Sequence, residues 1–397
     1  MADNAMVEKK RILIVADVSA ENVLGGAERM LANHVRALVA AGFPVTVLTR
    51  QPSPDAAYEV KLSAGVREIR LPWSGDRGRK GLLELKRGAA GWWRQHKQAF
   101  DLVISEQPFV MWALLRAGCR LPRLQACHSF AFEEYATRHA LEWNFRHALV
   151  VRAMRRIERK VYGSANRIRV LSRFMQERVT SMVGVPEDVI TVIPGGAEMP
   201  ELATDAKREE WRKQLGWQEP VLVTLRNLVP RTGVDMLVQA VAMLKAEGIH
   251  CRCCVIGDGP LAGALQALAM DLGVIDRIQF PGFLPNDAVQ MRLAAADLFI
   301  LPTRSLEGFG LVTIEANAAG LPVVATPAGA NAEVVGSLPY NRVAERISPE
   351  AIAVEVRRFL QNRSAHASMA AELVRTVQEK YSWKKHDAAL IALVESL

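Results

Sequence analysis

The stretch Leu301-Pro-Thr-Arg-Ser-Leu-Glu307-Gly-Phe-Gly310-Leu-Val-Thr-Ile-Glu315-Ala-Asn-Ala-Ala-Gly320-Leu-Pro322 decides how the rest of the chain is read. An apolar run ends at Pro302, a Gly-bearing loop follows, and helix-forming residues begin near Leu311. A helix N-terminus leaves its first N–H groups unpaired and carries partial positive charge. The backbone of Gly308, Phe309, Gly310, Leu311 and Val312 therefore offers a seat for a diphosphate. Glu307 stands in that loop and Glu315 about one turn into the helix, so two carboxylates can reach one ligand at different points.

Working outward, short runs rich in Val, Ile and Leu recur at 11–18, 44–49, 101–105 and 167–172, each followed by a helix-like stretch. The pattern restarts at 221–225, 252–256, 277–280, 297–301 and 322–325. Near-continuous apolar strands alternating with amphipathic helices predict parallel sheets covered on both faces. Between the two series lies 193–200, whose Pro194, Gly195, Gly196 and Pro200 make a turn-rich hinge. The reading is two doubly wound α/β domains, 1–196 and 197–380, closed by a helix at 381–397, and 397 residues suit two cores of this size. Ligands of such sheets bind outside the carboxyl ends of the strands, which puts the expected site in the cleft between the domains.

With 50% hydrophobic and 23% charged residues, the composition excludes a disordered or fibrous chain. Residues 1–200 carry 30 Lys and Arg against 20 Asp and Glu, and residues 201–397 carry 20 against 22, so the first half is +10 and the second −2. In the basic half, Arg152, Arg155, Arg156, Arg159 and Lys160 fall on one side of a helical stretch. Arg77, Arg79, Lys80, Lys86, Arg87, Arg94 and Lys97 flank Trp73, Trp92 and Trp93. This mixture suits an anionic membrane surface, and equally a solvated helix face. No nucleic-acid module is visible, so no nucleic-acid partner is expected. The five cysteines, an odd number, and the lack of a secretory or membrane-spanning apolar run predict reduced thiols in a cytoplasmic chain. Peripheral attachment to the inner face of the cytoplasmic membrane is compatible with that reading.

The quoted stretch, with Pro322-Val-Val-Ala-Thr-Pro327-Ala-Gly329 and Glu333-Val-Val behind it, resembles the E-x7-E signature of glycosyltransferase family 4. Other landmarks stand in family order: Gly25-Gly26-Ala-Glu28, Ile193-Pro-Gly-Gly196, Ile256-Gly-Asp-Gly-Pro260, Phe280-Pro-Gly-Phe283 and Ala296-Asp297. The resemblance covers nearly the whole chain. It implies the GT-B fold, with two doubly wound Rossmann-like domains facing each other across a cleft, the first for the acceptor and the second for the nucleotide-sugar, and a C-terminal helix crossing back. It implies a retaining hexosyltransferase that uses a nucleotide-diphosphate sugar, a UDP-sugar ahead of a GDP-sugar. The acceptor would be a glycan or lipid-linked, in cell-envelope polysaccharide, lipopolysaccharide or glycolipid synthesis. A GT-B epimerase or phosphorylase, and a non-catalytic basic membrane-binding protein, are the competing readings.

Carried onto this sequence, the resemblance puts Glu315 on the ribose hydroxyls and Glu307, with the backbone of residues 308–312, on the donor sugar and phosphate. It puts Phe283 at the base, Gly25 and Gly26 on the phosphate from the opposite domain, and His128 near the reacting sugar. The family's R-L-x-x-x-K-G segment is altered here. Aligned on Gly233, its cation positions hold Asn227 and Thr232, while Arg226 and Arg231 each stand one residue earlier. These two arginines are expected to offset the charge growing on the diphosphate as it departs. No Asp-x-Asp occurs, so neither a metal nor any other cofactor is expected. Gly257-Asp-Gly259 reads as a tight turn entering a helix, not as a dinucleotide fingerprint.

Overall fold

The structure is a computed structural model that describes residues 9–21, 25–62, 65–76, 78–140, 143–361 and 366–397. Its first half holds strands β1 (Ile12–Val15), β2 (Val45–Arg50), β3 (Glu59–Lys61), β4 (Arg67–Leu71), β5 (Leu102–Ser105), β6 (Arg123–Cys127), β7 (Arg167–Val170) and β8 (Ile190–Val192). They form one eight-stranded sheet in the order β3-β4-β2-β1-β5-β6-β7-β8. All its pairings are parallel except β3 with β4. The second half holds β9 (Val221–Leu225), β10 (Arg252–Ile256), β11 (Ile278–Gly282), β12 (Leu298–Leu301), β13 (Val323–Ala325) and β14 (Arg342–Val343), a parallel sheet in the order β11-β10-β9-β12-β13-β14.

Strands β1, β5 and β12 are buried at every position. Helices on both faces of a parallel sheet leave no solvated side, which is why these strands read as unbroken apolar runs. Each sheet also reverses direction once, between β1 and β5 and between β9 and β12. At such a switch point the loops leave in opposite directions and open a crevice. Strand β4 escapes a search for apolar runs because its sequence is Arg67-Glu-Ile-Arg-Leu71. Glu68 and Arg70 are nevertheless buried, and they pair with each other at 3.0 Å.

The chain crosses between the halves twice. At the first crossing, the Ala197 N–H donates to the carbonyl of Tyr381 on the second crossing (2.8 Å), and the Trp383 ring lies against Gly196. The final helix, Trp383–Glu395, then buries Leu390 and Val394 against Leu31, Val35 and Leu38 of helix Gly26–Ala40. All five cysteines are free and buried. Among the described residues no helix is long and apolar enough to cross a membrane.

The expected basic stripe is exposed on helix Phe145–Tyr162, where Arg152, Arg155, Arg156, Arg159 and Lys160 all face solvent. The tryptophan part of that expectation is corrected. Trp92 and Trp93 sit in the core with Leu85 and Ala89, because helix Arg79–His96 turns them onto the sheet. Trp73 lies under the Arg50 guanidinium, 4.3 Å from the ring centroid, and Arg77 falls outside the described residues. The exposed apolar surface lies elsewhere: Trp143, Phe145 (75% exposed) and Leu149 lead directly into the basic stripe. Phe145, Leu149, Arg152 and Arg156 follow one another at spacings of four, three and four, one helical face.

Candidate functional site

Arg226 leaves the carboxyl end of β9, at the switch point of the second sheet. Its backbone is fixed by the Gly257–Gly259 turn: the Arg226 N–H donates to Ile256 O (2.9 Å) and the Leu228 N–H to Asp258 O (2.9 Å). A Cβ on Gly257 would lie 2.0 Å from the Arg226 carbonyl. The turn thus does more than enter a helix; it clamps the loop that aims Arg226.

That guanidinium meets Glu307, which follows β12. The Arg226 Nη2–H donates to Glu307 Oε2 (3.0 Å), and the Thr303 hydroxyl donates to the same oxygen (3.0 Å). Leu306 adopts a left-handed φ of 59°, a conformation that costs energy in a branched residue and turns the loop back on itself. The Glu307 carbonyl is then held by the Ala330 N–H (2.8 Å). Both charged side chains are about nine-tenths buried, at 8% and 10% exposure. Truncating either one would leave the other uncompensated, at a cost of about 3–5 kcal/mol. Among the described residues the Arg226 Nε–H has no hydrogen-bond partner.

Gly310, at φ +80°, starts helix Leu311–Ala318. The Phe309 side chain is buried, edge-on to Tyr381 with ring centroids 5.8 Å apart, so at this position the backbone is the part left to a ligand. Glu315 is ion-paired with Arg29 of the first-half helix Gly26–Ala40. A Cβ on Gly26 would lie 3.5 Å from Leu311, which brings the two helix N-termini together across the cleft, with Gly25 just ahead of Gly26. Val312 is half-buried beside them, and Phe283, just past β11, is 69% exposed. Arg231 lies in the short turn Pro230–Thr232, which packs against helix Ala131–Arg138 of the first half. Its carbonyl accepts from the Arg304 N–H (2.8 Å), and its side chain makes no ion pair among the described residues. The structure thus joins Arg226 to Glu307 and leaves Arg231 apart.

From the first half, His128 follows β6 and faces this loop. A Cβ on Gly308 would come within 2.3 Å of the His128 carbonyl. The Ser172 hydroxyl donates to Gly308 O (2.7 Å), and Glu333 accepts from the Arg173 and Phe174 N–H groups (2.9 and 3.0 Å), capping a first-half helix from the second half. His128 Nε2 lies 3.1 Å from Glu106 Oε2, and the other Glu106 oxygen lies 2.7 Å from His34 Nδ1. Burial alone would raise the Glu106 carboxyl, but His34, His128 and Arg169 together hold it well below the usual range. His34 Nε2 is 3.0 Å from His386 Nε2, and His386 Nδ1 is 2.7 Å from the Pro194 carbonyl. Two neutral imidazoles carry two N–H groups for these last three contacts. Burial, then the neighbouring His34 and Arg169, push His386 down to about 2 and oppose the extra proton, so one joint is held by packing alone.

Of the residues expected from the sequence, Glu307, Glu315, Arg226 and His128 come together at this cleft. Sequence reading missed Glu106, His34, His386, Thr303 and Arg29. Of these, Glu106 and Thr303, each just after an apolar run, stood where a strand-end reading could have found them.

Among the described residues no group of three or more His, Cys, Asp or Glu side chains converges as a metal site requires. Two facing doubly wound domains, a diphosphate-type loop and a returning helix define the GT-B glycosyltransferase class. The match to known families is direct: the model "Glycosyltransferase Family 4" covers residues 24–199 and "Glycosyl transferases group 1" covers residues 207–375. The chain belongs to glycosyltransferase family 4.

Among characterised relatives, a GDP-mannose-dependent α-(1-6)-phosphatidylinositol monomannoside mannosyltransferase of Mycolicibacterium smegmatis is 30% identical over 59% of this chain. That alignment spans 64% of the relative's own length. A D-inositol 3-phosphate glycosyltransferase of Nocardia farcinica is 31% identical over 43% of this chain and 40% of its own length. Among solved structures, a sucrose-phosphate synthase from Thermosynechococcus elongatus superposes with a TM-score of 0.82 at 21% identity, covering 98% of this chain and 99% of that one. Anabaena HepE in complex with UDP and glucose gives a TM-score of 0.76 at 19% identity over 98% and 100%.

Proposed function

We propose that the chain is a retaining, metal-independent hexosyltransferase that moves a sugar from a nucleotide-diphosphate donor to a lipid-linked or glycan acceptor in cell-envelope synthesis. The observation that carries this reading is the buried Arg226–Thr303–Glu307 cluster beside the 308–312 backbone, with His128 opposite it. The diphosphate sits against the N-terminus of helix Leu311–Ala318 and the Arg226 guanidinium, which offset its charge in a site shielded from water. Glu315 gives up Arg29 for the ribose diol, to which a carboxylate offers two acceptor oxygens. Glu307 holds hydroxyls of the donor sugar, and Arg231 reaches the same diphosphate from the cleft edge.

The sugar C1–O bond to phosphate breaks while the acceptor oxygen bonds C1 on the same face. The acceptor's proton passes to the departing phosphate oxygen, so configuration is retained and no protein nucleophile is used. Because the Mycolicibacterium smegmatis relative is named as GDP-mannose-dependent, that donor moves ahead of UDP-sugars as the first to test. The lipid acceptor in that relative's name, phosphatidylinositol monomannoside, agrees with the exposed Trp143, Phe145 and Leu149 beside the basic stripe, which fit docking on the inner face of the cytoplasmic membrane.

The experiment is thermal unfolding of the purified chain with saturating GDP-mannose, UDP-glucose or ADP-glucose. A donor present at 100 times its Kd stabilises by about 2.7 kcal/mol. One donor should raise the melting temperature, GDP-mannose first among them. No shift with any of the three would sink the reading.

A further inference from the structure

One buried assembly lies behind His128, away from the diphosphate loop. Glu106 touches His128 with one carboxylate oxygen and His34 with the other, His34 meets His386, and His386 meets the Pro194 carbonyl. These groups come from the end of β5, the first helix, the returning helix and the first crossing. Glu106, His34 and His386 are all buried, so water cannot replace a lost partner. Pro194 and His386 belong to the two crossings, which are bonded to each other at Ala197 and Tyr381. A change of angle between the halves must be absorbed where the chain passes between them.

We propose that Glu106 is the positioning residue for His128, and that the His34–His386 pair makes this positioning depend on how the two crossings are seated. The ionised Glu106 can only accept, so it fixes His128 with the proton on Nε2 and leaves Nδ1 as a bare acceptor for a substrate hydroxyl. His34 keeps Glu106 in that place, and His386 keeps His34.

A second arrangement is at hand. Arg169 is buried, neither of its terminal nitrogens has a hydrogen-bond partner among the described residues, and Nη2 lies 3.5 Å from Glu106 Oε2, the oxygen that His128 uses. When the crossings shift and His386 leaves His34, the carboxylate swings to Arg169 and releases His128. What His128 does for the substrate rests on the transferase reading; the coupling itself does not.

The test uses the full-length chain labelled with 15N-histidine, with the His128 ring signals assigned by their loss in His128→Asn. His386→Asn should move the His128 ring nitrogens in the same direction as Glu106→Gln, although residue 386 does not touch His128. In parallel, GDP release from GDP-mannose should fall about 10-fold in either variant, with KM within two-fold of wild type. The double variant should be no slower than Glu106→Gln alone. Thermal unfolding checks that each variant is folded; should Glu106→Gln not fold, His386→Asn alone decides. Unmoved His128 signals in folded His386→Asn, or rate losses that multiply in the double variant, would overturn the coupling. If the wild type releases no nucleoside diphosphate from GDP-mannose, UDP-glucose or ADP-glucose, the transferase reading fails while the NMR arm still decides this inference.

Discussion

Glu307 concentrates the chemistry of the second half in one side chain: its Oε2 takes both Arg226 and Thr303. Glu307→Gln keeps the shape and removes the charge. Since a hydrogen bond to a charged group is worth about 1.5–3 kcal/mol, turnover should fall roughly 10- to 100-fold. Arg226→Ala should weaken GDP binding far more than guanosine binding, measured by calorimetry, and equal losses for both ligands would remove the arginine from the diphosphate. Glu315→Gln should act mainly on donor KM. Glu307 and Glu315 were legible because spacing and a glycine loop place them within one short segment. The Glu106–His34–His386 chain was not, because its members lie 72 and 352 positions apart and only the sheet order and the returning helix bring them together.

Among the elements, helix Ala131–Arg138 begins three residues after His128, and its N-terminus is capped by Glu158, which accepts from the Ala131 and Phe132 N–H groups (2.8 and 3.1 Å). Burial raises the Glu158 carboxyl to about 7, against those two hydrogen bonds. The folded chain therefore holds a proton that the unfolded chain has given up. The stabilisation is complete below the ordinary carboxylate range and is lost as pH rises through about 7. At about 1.4 kcal/mol per pH unit, this contributes about 3 kcal/mol between pH 4.5 and 7. Glu158→Gln should flatten that part of the stability-against-pH curve measured by urea unfolding; an unchanged slope would contradict it. Most strands were readable as apolar runs, whereas β4 hid behind its buried Glu68–Arg70 pair and β14 is only two residues long. The period of a sequence reports burial of apolar groups, not of charges that neutralise each other.

For the whole molecule, charge divides along the fold: +10 for residues 1–200 and −2 for the rest. The exposed stripe on helix Phe145–Tyr162 begins with Phe145 and Leu149 and continues with arginines. Each basic side chain near an anionic surface contributes about 1 kcal/mol, so several together suffice for reversible docking. The chain should sediment with vesicles rich in anionic lipid, less so at high salt. Replacing Arg152, Arg155, Arg156 and Arg159 by Gln, or Phe145 by Asp, should release it. No sedimentation of wild type at low salt would reduce the stripe to a solvated face. The two-domain plan was legible because its strand pattern repeats, but the closeness of the halves was not, since Ser172, Glu333 and Arg29 carry no pattern of their own. The central claim, metal-free transfer from a nucleotide-sugar across this cleft, is tested most directly by GDP release from GDP-mannose in excess EDTA, with acceptor supplied as vesicles containing phosphatidylinositol monomannoside. Wild type should release GDP at an unchanged rate with EDTA, and Glu307→Gln at least 10 times more slowly. Release that stops with EDTA, or that proceeds equally in Glu307→Gln, would contradict the account.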